Sequence, residues 1–494
     1  MEDMIHLDGR TLEGGGQLLR NAVCLSALTS KAIHITDIRG NRSGGGGLKA
    51  QHLAAVRWLG QACEARVEGD EKGSTELVFV PGGKRKTKSN ELDAASLPPA
   101  FIGKQRLEDG REALVCRPLE MATAGSTGLA LQAVLPYLLF FRPERRSGGE
   151  EMEKYPMRLK VNGGTNVSGS PSFEYVKYVL LPTLKRLSVP EMSVTLEKRA
   201  WSSASVGAVG GFTIEIAPRK VQNGVDGGGL GDFDFGLRRQ LADPIYESEM
   251  PIEIHGILVG PATSRGLFQS ALEKEVVQQF GSGVAIQSDG GPPQTAIRFR
   301  HTFEQSLSEH KIYMLLVATV PTSSFHRSHS DPGIYSRSDS PAHNVSTALL
   351  AADILREQSS RKPINLPKTI TEMTTRVVGA LAREWCSNAV VDEHMRDQLV
   401  IFQALAHGRS GLFGGWEVRD AKAGRTNAKD SRETGASSST SGQRRMREVS
   451  LHTRTAEWVC KTILSTDEGD DVRGLEVKFD ADGWCFGSGF GRGE

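Results

Sequence analysis

The stretch Gln17-Leu18-Leu19-Arg20-Asn21-Ala22-Val23-Cys24-Leu25-Ser26-Ala27-Leu28-Thr29, with Ile33-His34-Ile35-Thr36-Asp37-Ile38-Arg39 close behind it, decides the fold. In the first run Leu18, Ala22 and Leu25 share one stripe at helical spacing; the second reads as a strand. Residues 51–63 read as a second helix, with Leu53, Val56, Leu59 and Cys63 roughly aligned, and residues 65–68 and 76–80 as two short strands. The order returns as helix 124–140, strand 157–161, helix 173–187 and strands 193–196 and 212–216. A weaker copy closes the chain, with helix 393–407, strand 447–451, helix 455–464 and strand 475–479. Repeated use of one helix–strand–helix–strand–strand unit predicts an α/β (α+β) fold, a large domain of repeated subdomains.

The segment before the last copy has a different order. Residues 252–259, 296–301 and 313–320 read as strands, and 267–280, 346–357 and 371–386 as helices. This predicts a small inserted α/β domain, 244–388, between residues 1–243 (repeats 1 and 2) and 389–494 (repeat 3). Residues 81–113, 323–340 and 421–445 read as loop insertions, the last of them disordered by composition. Within the first, Lys84-Arg85-Lys86-Thr87-Lys88 reads as a solvated loop, a nuclear address or an RNA-contacting loop.

Composition narrows the class. The 494 residues carry a net charge of +1, so no overall field steers a polyanion and any nucleic-acid site is a local patch. With 38% hydrophobic and 24% charged residues, a mostly disordered or fibrous chain is excluded. Six scattered cysteines show no zinc spacing and read as reduced thiols of an intracellular protein. The longest apolar run, 129–141, is interrupted by Gln132, Pro136 and Tyr137, and the acidic N-terminus lacks a signal-peptide core; no membrane is expected.

Three segments have residue types suited to phosphate chemistry. Glu13-Gly14-Gly15-Gly16-Gln17 opens a helix with glycines, which exposes backbone N–H groups at the positive helix end; a tight turn needing positive φ explains it equally. Arg39, Arg42 and Lys49 surround the glycine loop 43–47, with Gln51 and His52 at the start of the next helix. That arrangement suits a phosphate clamp, against the alternative of a solvated loop. His452, in Ser450-Leu451-His452-Thr453-Arg454-Thr455-Ala456, lies at or just before a helix N-terminus, where the dipole favours a neutral, nucleophilic imidazole. Twelve histidines occur, and position alone does not single this one out.

Together these segments resemble the RNA 3′-terminal phosphate cyclase family. The resemblance extends through Ala124-Gly125-Ser126, Gly163-Gly164-Thr165-Asn166 and Asp397-Gln398-Leu399, in the family's order. It implies a large domain of three βααβ-type repeats with a small inserted α/β domain. It also implies ATP-dependent conversion of an RNA 3′-phosphate to a 2′,3′-cyclic phosphate, through a covalent histidine–AMP and an RNA-(3′)pp(5′)-A intermediate. By matching positions, His452 would be the nucleophile. Glu13 and Gln17 would lie beside ATP or its Mg²⁺ (or another divalent cation), with Glu13 the metal ligand. Asp397 and Gln398 would contact ATP, and Pro171 would pack on adenine. Arg20, Arg39, Arg42, Gln51 and His52 would hold phosphates of ATP or of the RNA end. The family also implies a nuclear location.

Three departures from the family pattern stand out. The signature segment 199–211 has Ala200 where glycine is usual and lacks its proline; loop 43–47 lacks a proline; and His394 replaces the aromatic residue expected on adenine. The rival reading is a non-catalytic relative that serves in ribosomal-RNA processing. Such relatives lack the nucleophilic histidine, so His452 with Thr455, and the intact 13–17 turn, argue against it.

Overall fold

The computed structural model of the chain describes residues 4–82, 97–140, 154–187, 189–203, 209–218, 236–238, 253–280, 297–324, 346–358, 364–412, 414–417, 445–465, 477–479 and 484–488. One strand order occurs three times. The first unit runs β1 (Ile5–Asp8), α1 (Gly16–Thr29), β2 (Ile33–Thr36), α2 (Ala50–Ala62), β3 (Arg66–Glu68), β4 (Leu77–Val80). β1 pairs parallel with β2, β2 antiparallel with β4, and β4 antiparallel with β3.

The second unit follows a hairpin of β5 (Phe101–Arg106) and β6 (Glu112–Cys116). It runs β7 (Leu119–Glu120), α3 (Thr127–Phe140), β8 (Met157–Gly163), α4 (Phe173–Tyr175), a π-helical turn Val176–Leu180, α5 (Leu181–Arg186), β9 (Met192–Lys198), β10 (Gly210–Ile216). Its order is β7-β8-β10-β9 with the same directions.

The third unit begins at β11 (Gly236–Arg238). Then come β12 (Glu253–Gly260), α6 (Ser264–Phe280), β13 (Arg298–Gln305), β14 (Lys311–Ser324), β15 (Ser346–Glu357) and α7 (Leu366–Cys386). The unit resumes with α8 (Glu393–Leu405), β16 (His407–Leu412), α9 (Leu451–Leu464), β17 (Lys478–Phe479) and β18 (Trp484–Ser488). β11-β16-β18-β17 repeats the parallel, antiparallel, antiparallel pattern. The intervening strands pair as β13-β12-β14-β15, and β14 also pairs with β11, so the two sets form one sheet.

The α/β class holds, and several element readings need correction. Residues 346–357 form strand β15, not a helix: Leu349, Leu350, Ala351 and Ala352 are all buried, and pairing with the long β14 settles what an unbroken apolar run leaves open. Within 81–113, β5 and the start of β6 replace the expected loop. Residues 447–451 are not a strand, because Ser450 caps α9 and the helix starts at Leu451. Helix 393–407 ends at Leu405, and His407 opens β16. The sequence pattern does not mark the first strand of each unit, β1, β7 or β11. Segments 325–340 and 421–444, and Lys84 to Lys88, lie outside the described residues.

Helices from all three units meet at α1, which packs on α2, α3 and α9, while α8 packs on α9. Gly16 through Ala27 are all buried, as a helix enclosed on every side must be. Val459, Ile463 and Leu464 of α9 are buried in this core, each contributing about 1.5–3 kcal/mol. The N-terminal ends of α1 and α9 thereby meet, and the site forms there.

Candidate active site

The turn from β1 into α1 is shaped by glycine. Gly14 has φ +59°, and a Cβ there would lie 2.5 Å from that of Asn41. Gly15 is the N-cap of α1 and provides no side-chain hydrogen bond, so the first N–H groups of α1 have no side-chain cap. At Gly16 a Cβ would come within 2.5 Å of His52 Nε2 and 2.9 Å of Arg20 Nη1; only glycine lets the three groups converge.

The opposite wall is α9. Ser450 Oγ accepts from Thr453 N at 3.2 Å and fixes the first turn, which carries His452. One turn on, Thr455 Oγ1 accepts from Glu13 N at 3.2 Å and donates to Leu451 O at 2.7 Å. This anchors the glycine turn to α9. Nδ1 of His452 stands 3.3 Å from Oε2 of Glu13, whose other oxygen pairs with Arg42. The Glu13 side chain is only 7% exposed and that of His452 48%. Partial burial, seconded by Arg20 and Arg42 against the opposing carboxylate of Asp397, holds the imidazole below its usual 6.5. It is neutral at pH 7.

α8 forms the third side. Asp392 caps it, accepting from His394 N and Met395 N at 3.0 Å each. Burial raises the Asp397 carboxyl to about 6, against His452 and Arg20. Gln398 Nε2 donates to His394 O at 2.7 Å, which leaves its buried Oε1 without a partner.

A cavity of about 1400 Å³ joins these walls. Every residue singled out from sequence lines it: His452, Glu13, Gln17, Pro171, His394, Asp397, Gln398, Arg20, Arg39, Arg42, Gln51 and His52. Among the described residues, buried atoms of four of them have no hydrogen-bond partner: Glu13 Oε2, Gln17 Nε2, Arg20 Nε and Gln398 Oε1. Native interiors rarely tolerate such atoms, and their clustering round one cavity marks a ligand site.

The cations lie near one another along the lining. Burial lowers the Arg20 guanidinium to about 10, with Asp397 opposing. Arg39, also buried, donates to Gly47 O at 3.1 Å and forms no ion pair among the described residues. The Lys49 ammonium is depressed first by Arg39, then by burial and Arg42. Positive groups that destabilise one another favour an anion between them. His52 is neutral, pushed well below its usual range by burial and three neighbouring cations, and its Nδ1 accepts from Lys49 N at 3.3 Å. It can orient an anion by hydrogen bonding, not by charge.

The model of the RNA 3′-terminal phosphate cyclase family matches residues 11–467. The chain belongs to that family. Its relatives named RNA 3′-terminal phosphate cyclase include one from Methanosarcina mazei, 36% identical over 206 residues (42% of this chain, 47% of that protein). A second, from Ignicoccus hospitalis, is 36% identical over 220 residues (44% and 49%), and a third, from Desulfurococcus amylolyticus, 37% over 186 residues (38% and 41%). The chain spans about half the length of the curated relatives it matches.

Lys49, read from sequence with Arg39 and Arg42 as a cation of the clamp, lines the cavity too; Lys72, Tyr313 and Asp353, which also line it, are not singled out by the sequence. Tyr313 and Asp353 come from β14 and β15, far along the chain, and no local motif marks them. The altered 199–211 segment keeps a structural part: Arg199 pairs with Glu174 at 2.6 Å and Glu304 at 2.7 Å.

Proposed function

We propose that this protein converts an RNA 3′-terminal phosphate to a 2′,3′-cyclic phosphate using ATP. One observation carries the reading: a neutral histidine at a helix start faces a buried glutamate across an uncapped glycine turn, with arginines around them. The Glu13 carboxylate, 3.3 Å from Nδ1 of His452, favours the tautomer with its proton on Nδ1, which leaves Nε2 unprotonated and free to attack. Nε2 forms a bond to the α-phosphorus of ATP while the bond to pyrophosphate breaks. The adenylylated ring keeps its proton on Nδ1 and is therefore cationic, beside the Glu13 carboxylate.

An oxygen of the RNA 3′-phosphate then attacks the same phosphorus, and the P–N bond breaks, regenerating His452. Finally the adjacent 2′-OH attacks the RNA phosphorus, its proton is lost, and AMP departs. Arg20, Arg39, Arg42 and Lys49 hold phosphate oxygens through these steps, with Gln51 and His52 orienting them. Pro171 and His394 flank the base, and Gln17, Asp397 and Gln398 contact ATP.

The unpartnered Oε2 of Glu13 suits a hard divalent cation, which when bound neutralises triphosphate charge. Among the described residues no group of three potential ligands surrounds it, so phosphates and water would complete the shell. The same reading includes the domain division at 243/244 and 388/389. It also includes a nuclear location, supported only by the basic run at Lys84 and the family; among the described residues no helix is long and apolar enough to cross a membrane.

The test uses matched oligonucleotides ending in 3′-phosphate, 3′-hydroxyl, or 2′-deoxy-3′-phosphate. With ATP and Mg²⁺ only the first is expected to end as a cyclic phosphate, resistant to phosphatase and free of AMP. The 2′-deoxy end should stop as the adenylylated intermediate. Modification of the 3′-hydroxyl RNA, or no change in any of them, contradicts the proposal.

A further inference from the structure

Asp353 interrupts an apolar run, Leu349-Leu350-Ala351-Ala352-Asp353-Ile354-Leu355, and lines the cavity wall shared by Pro171 and His394. Its carboxylate is set by a chain of hydroxyls. Ser172 Oγ donates to Tyr313 Oη at 2.7 Å, and Tyr313 Oη donates to Asp353 Oδ2 at 3.0 Å. Ser172 and Tyr313 are each 1% exposed, so core packing fixes the chain. The tyrosine hydroxyl has one proton, and the aspartate receives it. Among the described residues no cation pairs with Asp353. A half-buried carboxylate in the cavity, with Oδ2 held by Tyr313, keeps Oδ1 to offer as an acceptor.

We propose that Asp353, oriented by Tyr313, determines the base preference by accepting a hydrogen bond from the exocyclic amine of adenine. The inference rests on the reading of Pro171 and His394 as the nucleobase wall. An ionised carboxylate only accepts, and the amine is a donor. Where adenine has this amine, guanine has the carbonyl O6, an acceptor that a carboxylate oxygen repels. β14 and β15 thus supply the discriminating contact to a site otherwise built from the repeated units.

The experiment compares α-labelled ATP with α-labelled purine-riboside triphosphate, which lacks only the amine, and with GTP. Single-turnover labelling efficiency is measured on the full chain, and the ratio of two nucleotides within one protein cancels any general loss of activity. Wild type is expected to prefer ATP to the amine-free analogue by about tenfold or more, as a hydrogen bond to a charged group gives. Asp353→Ala should bring that ratio near unity. Tyr313→Phe, which keeps the packing, should lower it partly, and it carries the test if the alanine variant fails to fold. A ratio unchanged in both variants, or a wild type that ignores the amine or prefers GTP, overturns the inference while leaving the cyclase reading intact. Wild type that labels with no nucleotide overturns both.

Discussion

His452 owes its charge state to its surroundings. Burial and two guanidiniums favour the neutral ring, while Asp397 pulls the other way. Protonation removes the nucleophile, so adenylylation should be constant above pH 6.5 and fall only below it, with the midpoint under that value. Asp397→Asn removes an influence that raises the histidine pKa. A pH profile of the single-turnover rate should therefore show the midpoint displaced further down, whatever happens to ATP affinity; an upward displacement contradicts the electrostatics. At this scale the sequence was legible where local pattern and chemistry coincide, as at Glu13 and His452. It was silent at Asp353, because one acidic residue in an apolar run has no local signature and acquires meaning only when β15 pairs with β14.

α9 delivers His452 at the right depth because its first turn is pinned twice, by Ser450 and through Thr455 to the glycine turn. At the other end, Lys31 Nζ donates to Ile463 O at 2.7 Å and Ser465 O at 3.1 Å, capping the helix with a cation. Ser450→Ala should cost about 1 kcal/mol in denaturant unfolding and slow adenylylation more than it weakens ATP binding, since the frayed turn carries the nucleophile. Unchanged stability and rate would mean the cap is immaterial. Elements were read well where one face met solvent and periodicity survived, as in α2 and α9. They were misread where burial erased it. β15 has buried residues in succession, and β5 contains Lys104, Gln105 and Arg106, which resemble a loop until paired with β6.

For the whole molecule, the recurring 1-2-4-3 strand order explains why residues so distant in sequence meet: each unit directs helix ends towards the common cavity. The insertion before α9 need not disturb this. Glu417 N donates to Arg445 O at 2.9 Å, and Trp416 bridges to Met446, so the flanks of residues 418–444 are already joined. Replacing residues 421–444 by a short Gly/Ser link should leave the melting temperature and adenylylation close to wild type, because shortening a loop whose ends already touch changes closure entropy only slightly. Loss of soluble protein would give the segment a structural part. The three copies were visible as periodic helices; their opening strands were not, because β7 and β11 are too short to carry a pattern.

The most direct measurement locates the nucleotide on the protein. After incubation with ATP and Mg²⁺ without RNA, and digestion under alkaline conditions, mass spectrometry should find AMP on His452, in the tryptic peptide that ends at Arg454. The adduct should be stable to alkali, lost in acid, and absent from His452→Ala. AMP attached to any other residue, or equal labelling of wild type and His452→Ala, would contradict the account.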